Sequence, residues 1–313
     1  MDETDIRILR VLGFTPFQNG VRGPDAMRAS HVAAQLGLGT ELVKDRITKM
    51  EAAGVIQGYE AFPNLRHLGL AQTTVHYNVD GRAKSKVADR LRDMEGISGV
   101  FEFVGPGLCV DVYYRDQGEL ERRLRLIGTL TEAPAPSRLF DYPYPDIGGE
   151  LTGLDWRILH ALRKDARRGP NEIGEEVGVS GKTVHRRIER MVAQNAFDVV
   201  PRLDPGEFPD LIPLNLACYF DPAAAAKTVA SITKELGEQV FYAWVPPSAQ
   251  VGNFDIFAWV RKPREIEALR RRVGAVSGVE RVEAMLPCNA VFTSDWLTQA
   301  IRARMSLSEV AAP

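Results

Sequence analysis

The strongest chemical bias in the chain lies between Ser180 and Met191. There Lys182, Arg186, Arg187 and Arg190 stand against one acid, Glu189, a local charge of +3 in a chain whose net charge is −2. At about 100° per residue, Val184, Ile188 and Met191 share one helical face and belong to a core. Lys182, Arg186 and Glu189 point the other way, flanked by Thr183, His185 and Arg190. Such a face suits a polyphosphate. A guanidinium offers a bidentate fork to guanine, whereas other cations neutralise phosphates and set position without reading sequence. Thr183 and Arg186 are placed to reach base edges or nearby phosphates. Lys182, Arg187, Arg190, Arg167 and Arg168 are candidates for phosphate, and His185 for a hydrogen bond. The competing reading is an ordinary solvated helix face, since basic residues are common on helices.

The chain then says nearly the same thing twice. LDWRILHAL at Leu154 repeats DIRILRVL at Asp5, and IGEEVGVSGKTVHRRIERM at Ile173 repeats VAAQLGLGTELVKDRITKM at Val32. A period of about 150 residues is too long for a solenoid and marks duplication of a two-part module. The first copy of the basic helix has Lys44, Arg46 and Lys49 but also Glu41 and Asp45. Its outward face is led by Glu41, Asp45 and Thr48. An acidic outward face is a poor phosphate partner, so weaker or differently specific binding is expected from it.

These helices need positioning elements. In the second copy Leu154, Ile158, Leu159 and Leu162 recur at helical spacing, Pro170 opens a second helix, Gly178 ends it, and Ser180 is placed as N-cap of the third. Three short helices joined this tightly form a helix-turn-helix. Val55 to Phe62 and Phe197 to Leu203 read as a small strand or wing after each set. The first copy carries about nine extra residues within FTPFQNGVRGPDAM, whose Gly, Pro and Asn content predicts a loop and the least ordered part of that half.

Each wing is followed by a strand, helix, strand, strand, helix, strand pattern, over about 73–142 and 213–286. This is the order of a ferredoxin-like unit, in which two helices cover one sheet face and the other is left bare. The bare faces need a partner, either each other within one chain or those of a second chain. A last helix is expected from Ser294 to Met305.

A helix-turn-helix followed by βαββαβ resembles the Lrp/AsnC feast/famine family of transcription regulators. LDWRILHAL, the VGVS turn, VHRRIERM and GNFD at Gly252 to Asp255 carry the likeness. The expected fold class is α+β, with two winged helix-turn-helix domains (1–63 and 149–206) and two ferredoxin-like, RAM-like domains (64–148 and 207–313). The resemblance implies double-stranded DNA as partner, contacted by Arg167, Arg168, Ser180, Lys182, Thr183, His185, Arg186, Arg187 and Arg190, with Lys44, Arg46 and Lys49 in the first copy. It implies a small-molecule effector, such as an amino acid, at Gly252, Asn253 and Asp255, then Gly107 and Asp111. In the bland alternative those glycines make turns and those aspartates cap elements. Two modules per chain depart from the usual one, and imply a homo-oligomer or an intramolecular pseudo-dimer.

The module also resembles the haem-pathway decarboxylases that act on sirohaem, which would need His and Arg groups for acidic tetrapyrrole side chains. Of His31, His67, His76, His160 and His185, none lies beside a carboxylate in a recognisable catalytic arrangement. His76 is the one candidate worth following. The basic helix favours regulation over catalysis, so no enzymatic activity is expected; a third reading is an oligomeric co-regulator without DNA contact. Cys109, Cys218 and Cys288 form no CxxC pair and read as buried thiols. No metal-ligand spacing or cofactor loop is present, and no cofactor is expected. No apolar run approaches the about 20 residues of a bilayer crossing, and the acidic MDETD start is unlike an export signal, so a cytoplasmic location is expected and no membrane contact.

Overall fold

Asp2 and Asp5 begin the structure with a reciprocal capping box, each carboxylate accepting the other residue's amide, which launches α1 (Glu3–Leu12). α2 (Ala29–Leu36) closes on Gly37 in the left-handed region, α3 (Thr40–Ala52) buries Val43, Ile47 and Met50, and β1 (Ile56–Pro63) follows. Next come β2 (Ala71–Asn78), α4 (Lys84–Arg92), β3 (Ile97–Phe103), β4 (Gly107–Tyr114), α5 (Gln117–Thr131) and β5 (Arg138–Asp141). The second copy supplies α6 (Gly153–Lys164), α7 (Pro170–Val177), α8 (Gly181–Ala193), β6 (Phe197–Leu203), β7 (Ile212–Phe220), α9 (Ala225–Leu236), β8 (Val240–Trp244), β9 (Asn253–Val260), α10 (Pro263–Gly274) and β10 (Val279–Met285). β11 (Pro287–Phe292) and α11 (Asp295–Val310) end it. This computed structural model describes residues 1–17, 20–79, 81, 83–133, 135–244, 253–292 and 295–310. Contacts divide the chain into two units, one of Met1–Gly69, Tyr144–Glu207 and Asp295–Pro313, the other of Leu70–Pro143 and Phe208–Ser294.

The first unit holds both three-helix sets. Its strands correct the expectation of separate wings: β1 and β6 pair antiparallel with each other, Tyr59 opposite Pro201 and Ala61 opposite Val199. A lone strand would leave its ladder groups unsatisfied, and the duplication provides the missing edge. The described part of the inserted loop makes bonds to the second copy. Arg22 donates from Nη2 and Nε to the Asp198 carboxylate at 2.9 and 3.2 Å and from Nη1 to the Leu12 carbonyl at 2.6 Å, while the Phe17 amide adds a bond to Asp198 at 2.7 Å. Asp198 is fully buried in β6, so the loop supplies the donors that its charge requires. The expected terminal helix exists, but α11 packs on α6 in this unit rather than with the ferredoxin-like residues that precede it. His67, whose imidazole is held below its ordinary range by burial and then by the Arg304 charge, sits edge-on to Trp156 of α6.

The second unit holds two antiparallel sheets, β5-β2-β4-β3-β11 and β8-β9-β7-β10. Without β11 both have the ferredoxin-like strand order. β11, which no sequence pattern predicts, leaves the second copy and extends the first copy's sheet, Ala290 opposite Phe101. Each sheet buries one face under its helices: Val75, Val110, Leu120 and Ile127 in one core, Leu216, Ile256, Leu269 and Val273 in the other. Alternation sends Thr74, His76, Cys109 and Asp111 to the other face of the first sheet, and Asn253, Asp255 and Phe257 to that of the second. These faces meet within the chain, where the imidazole of His76 lies 3.6 Å from the carboxylate of Asp255.

Cys109 and Cys218 are buried as expected, whereas Cys288 is exposed on β11, where the edge strand leaves it open to solvent. Among the described residues no helix is long and apolar enough to cross a membrane, and no group of three or more His, Cys, Asp or Glu is arranged to hold a metal ion.

Candidate nucleic-acid interface and the seam between the sheets

Helix α8 is positioned by its turn. The Ser180 hydroxyl accepts the Thr183 amide at 3.2 Å as N-cap. α7 comes so near that a Cβ on Gly174 would lie 2.5 Å from the Val179 carbonyl oxygen, so glycine is what permits the tight turn. Val184, Ile188 and Met191 face the core, which leaves Lys182 and Arg186 exposed, with no ion-pair partner among the described residues.

The other predicted contacts have partners of their own. Arg187 Nη1 donates to both Asp155 oxygens at 3.3 Å and to the Thr152 hydroxyl at 3.1 Å, and Arg190 also bonds Asp155. Asp155 is fully buried at the third position of α6, where it also completes a capping box with Thr152. Arg167 pairs with Glu51 at 2.7 Å and lies over the Tyr59 ring; Arg168 bonds Glu172 and Glu176 at 2.6 Å each. His185 is 3.3 Å from Glu189 one turn on, and Thr183 shares its hydroxyl with Ser180. In the first copy Arg46 is held by Asp2 and Asp5, Lys44 lies 3.8 Å from Glu41, and Lys49 is exposed. The geometry therefore separates Lys182 and Arg186, which are available, from arginines that tie helices together. For Arg187, Arg190 and Arg167 sequence spacing alone could not make that distinction, because their carboxylates lie about 30 residues or more away.

The effector candidates divide between strands. Asp111, half-buried in β4, accepts the Thr74 hydroxyl at 2.6 Å. Burial pushes its carboxyl up to about 6, with the Thr74 bond opposing. Asp255 of β9 meets His76, two positions beyond Thr74 on the same face of β2, so the structure sets both aspartates against one strand. Asn253 opens β9 with a buried Oδ1 that finds no hydrogen-bond partner among the described residues. Gly107 opens β4, and Gly252 lies outside the described residues. The absence of a histidine beside a carboxylate, read from the sequence, is thus corrected: facing sheets bring His76 and Asp255 together across about 180 positions, beyond the reach of local pattern. A separate open depression of about 650 Å³, lined by Asn78, Val79, Gly81, Lys84, Gly105 and Pro106, includes none of the candidates.

Comparison with known proteins matches residues 151–192 to the AsnC-type helix-turn-helix domain. The HTH-type transcriptional regulator LrpA of Pyrococcus horikoshii is 27% identical over 124 residues, covering 38% of this chain and 79% of that protein. The resemblance to the Lrp/AsnC family therefore holds. Crystal structures of the siroheme decarboxylase NirDL, free and with an iron-uroporphyrin III analogue, superpose with a TM-score of 0.57 at 14% identity. They cover 98% of this chain and 99–100% of theirs. That likeness is one of fold. It overturns the expectation of a chain without catalytic activity, because the architecture spanning nearly all of it is that of a solved enzyme.

Proposed function

We propose that the chain is a DNA-binding transcriptional regulator of Lrp/AsnC type, built from helix-turn-helix domains at 1–63 and 149–206 and ferredoxin-like, RAM-like domains at 64–148 and 207–313, with α11 returning to α6. The observation that carries it is the capped helix α8 presenting exposed Lys182 and Arg186 with no ion-pair partner among the described residues, inside the stretch that matches the AsnC-type domain. Lys182 meets phosphate, and Thr183 and Arg186 face the groove. A small molecule with an ammonium group, such as an amino acid, suits the seam carrying Asp111 and Asp255. Its binding alters the placement of the helices, a coupling of about 1–3 kcal/mol. Immunoprecipitation of crosslinked chromosomal DNA tests the proposal. Enrichment of discrete promoter segments is expected, and their loss in a Lys182→Ala/Arg186→Ala strain. Uniform recovery from both strains would count against it.

A second reading rests on His76 and Asp255. A buried imidazole beside a carboxylate is equipped to hold or move a proton, and siroheme decarboxylase NirDL shares the fold. Among the described seam-side positions of β2, β4, β7 and β9, His76 stands beside two aspartates, and Arg281 of β10 lies over the ring of Tyr219 on the same side of the second sheet; several substrate carboxylates would need more such cations. Incubation with siroheme decides: carbon dioxide release that disappears in His76→Ala supports catalysis, and an unchanged absorption spectrum opposes it.

A further inference from the structure

The two third helices sit in the same internal frame. Val43, Ile47 and Met50 are buried in α3 as Val184, Ile188 and Met191 are in α8. Arg46 reaches the capping-box residue Asp5 as Arg187 reaches Asp155. These shared contacts fix which outward residues correspond: Glu41 with Lys182, Leu42 with Thr183, and Asp45 with Arg186. Glu41, Asp45, Lys182 and Arg186 are all exposed, and the charge is inverted at both positions. Where α8 offers DNA two cations, α3 offers two anions and the half-exposed Leu42. Lys44 lies beside Glu41, and Lys49 is flanking rather than central.

An antiparallel strand pair joins the two copies, the kind of two-fold arrangement in which equivalent helices read the two halves of an inverted repeat. Here one of the two helices would bring carboxylates to a polyanion, where like charge removes the counterion-release gain. We infer, resting on the DNA-binding reading above, that one chain recognises a single asymmetric duplex element. α8 reads one major groove, and α3 leaves the equivalent groove unread.

The test is selection of duplexes from a randomised pool with the purified full chain, followed by hydroxyl-radical footprinting and the mass of the complex. One non-repeated element protected over one groove face by one chain is expected. An inverted repeat occupied by two chains, each protecting one half, agrees equally. An inverted repeat with half-sites about 34 Å apart, both protected by a single chain, overturns the inference while leaving DNA binding intact. No enrichment of any sequence overturns both. A Glu41→Lys/Asp45→Arg variant changes only exposed positions; extension of its footprint to a second groove is expected. An unextended footprint would show that charge at these positions is not what silences α3.

Discussion

His76 and Asp255 come from different copies of the repeat, and the Nε2 of one lies 3.6 Å from the Oδ2 of the other, both less than a tenth exposed. The pair spans the two sheets, so removing one member takes a polar partner from the other in a largely buried seam. Asp255→Ala is expected to cost about 1–3 kcal/mol in urea unfolding, and Asp255→Asn, which retains an acceptor, clearly less. Equal stability of the two variants would contradict a polar link across the seam.

Asp111 predicts a pH dependence. Its folded carboxyl titrates near 6 because of burial, against 3.8 for the ordinary group. The fold therefore favours the protonated form. The stability it contributes is complete below about pH 4 and is lost as pH rises through about 6. Asp111→Asn should be more stable than the parent above pH 6 by about 1–3 kcal/mol, with the gap closing at about pH 4. Thermal unfolding across that range checks it; a constant difference at every pH would exclude titration of Asp111 as the cause.

Arg22 and Asp198 form a buried pair whose members belong to different copies. Asp198→Ala should cost about 3–5 kcal/mol, since it leaves the guanidinium unpaired, whereas Arg22→Met with Asp198→Leu should cost much less. Denaturant midpoints of the three proteins decide. If the double variant is as unstable as the single one, packing of the loop matters more than its charge.

Much of this was legible in advance, for physical reasons. The repeat exposed the helix-turn-helix because Gly178, Ser180 and the Val184, Ile188, Met191 spacing are local signals. The βαββαβ order followed from strand and helix periodicity. What stayed hidden was non-local. β1 and β6 read as wings because a strand does not announce its partner. β11 was missed because Cys288 to Phe292 is short and finds its ladder on the other copy. Arg187 and Arg190 looked available for DNA because nothing nearby in sequence revealed the buried Asp155.

Asp155 separates architecture from recognition. Asp155→Ala removes the reciprocal half of the α6 capping box and the anchor of Arg187 and Arg190, and should lower stability by at least about 1–2 kcal/mol. Lys182→Ala/Arg186→Ala, at exposed positions, should stay within about 0.5 kcal/mol of the parent. Melting curves of both variants check the contrast. A double variant as unstable as Asp155→Ala would mean that Lys182 or Arg186 supports the fold.

DNA contact through α8 is tested most directly by fluorescence anisotropy of a labelled promoter duplex over a salt series, with the parent and the Lys182→Ala/Arg186→Ala variant. The predicted result is tight parent binding that weakens steeply with salt, and a variant that binds more weakly with a log–log salt slope shallower by about 0.9, the loss of the Lys182 phosphate contact. Equal affinity and equal slope for the two proteins would contradict it.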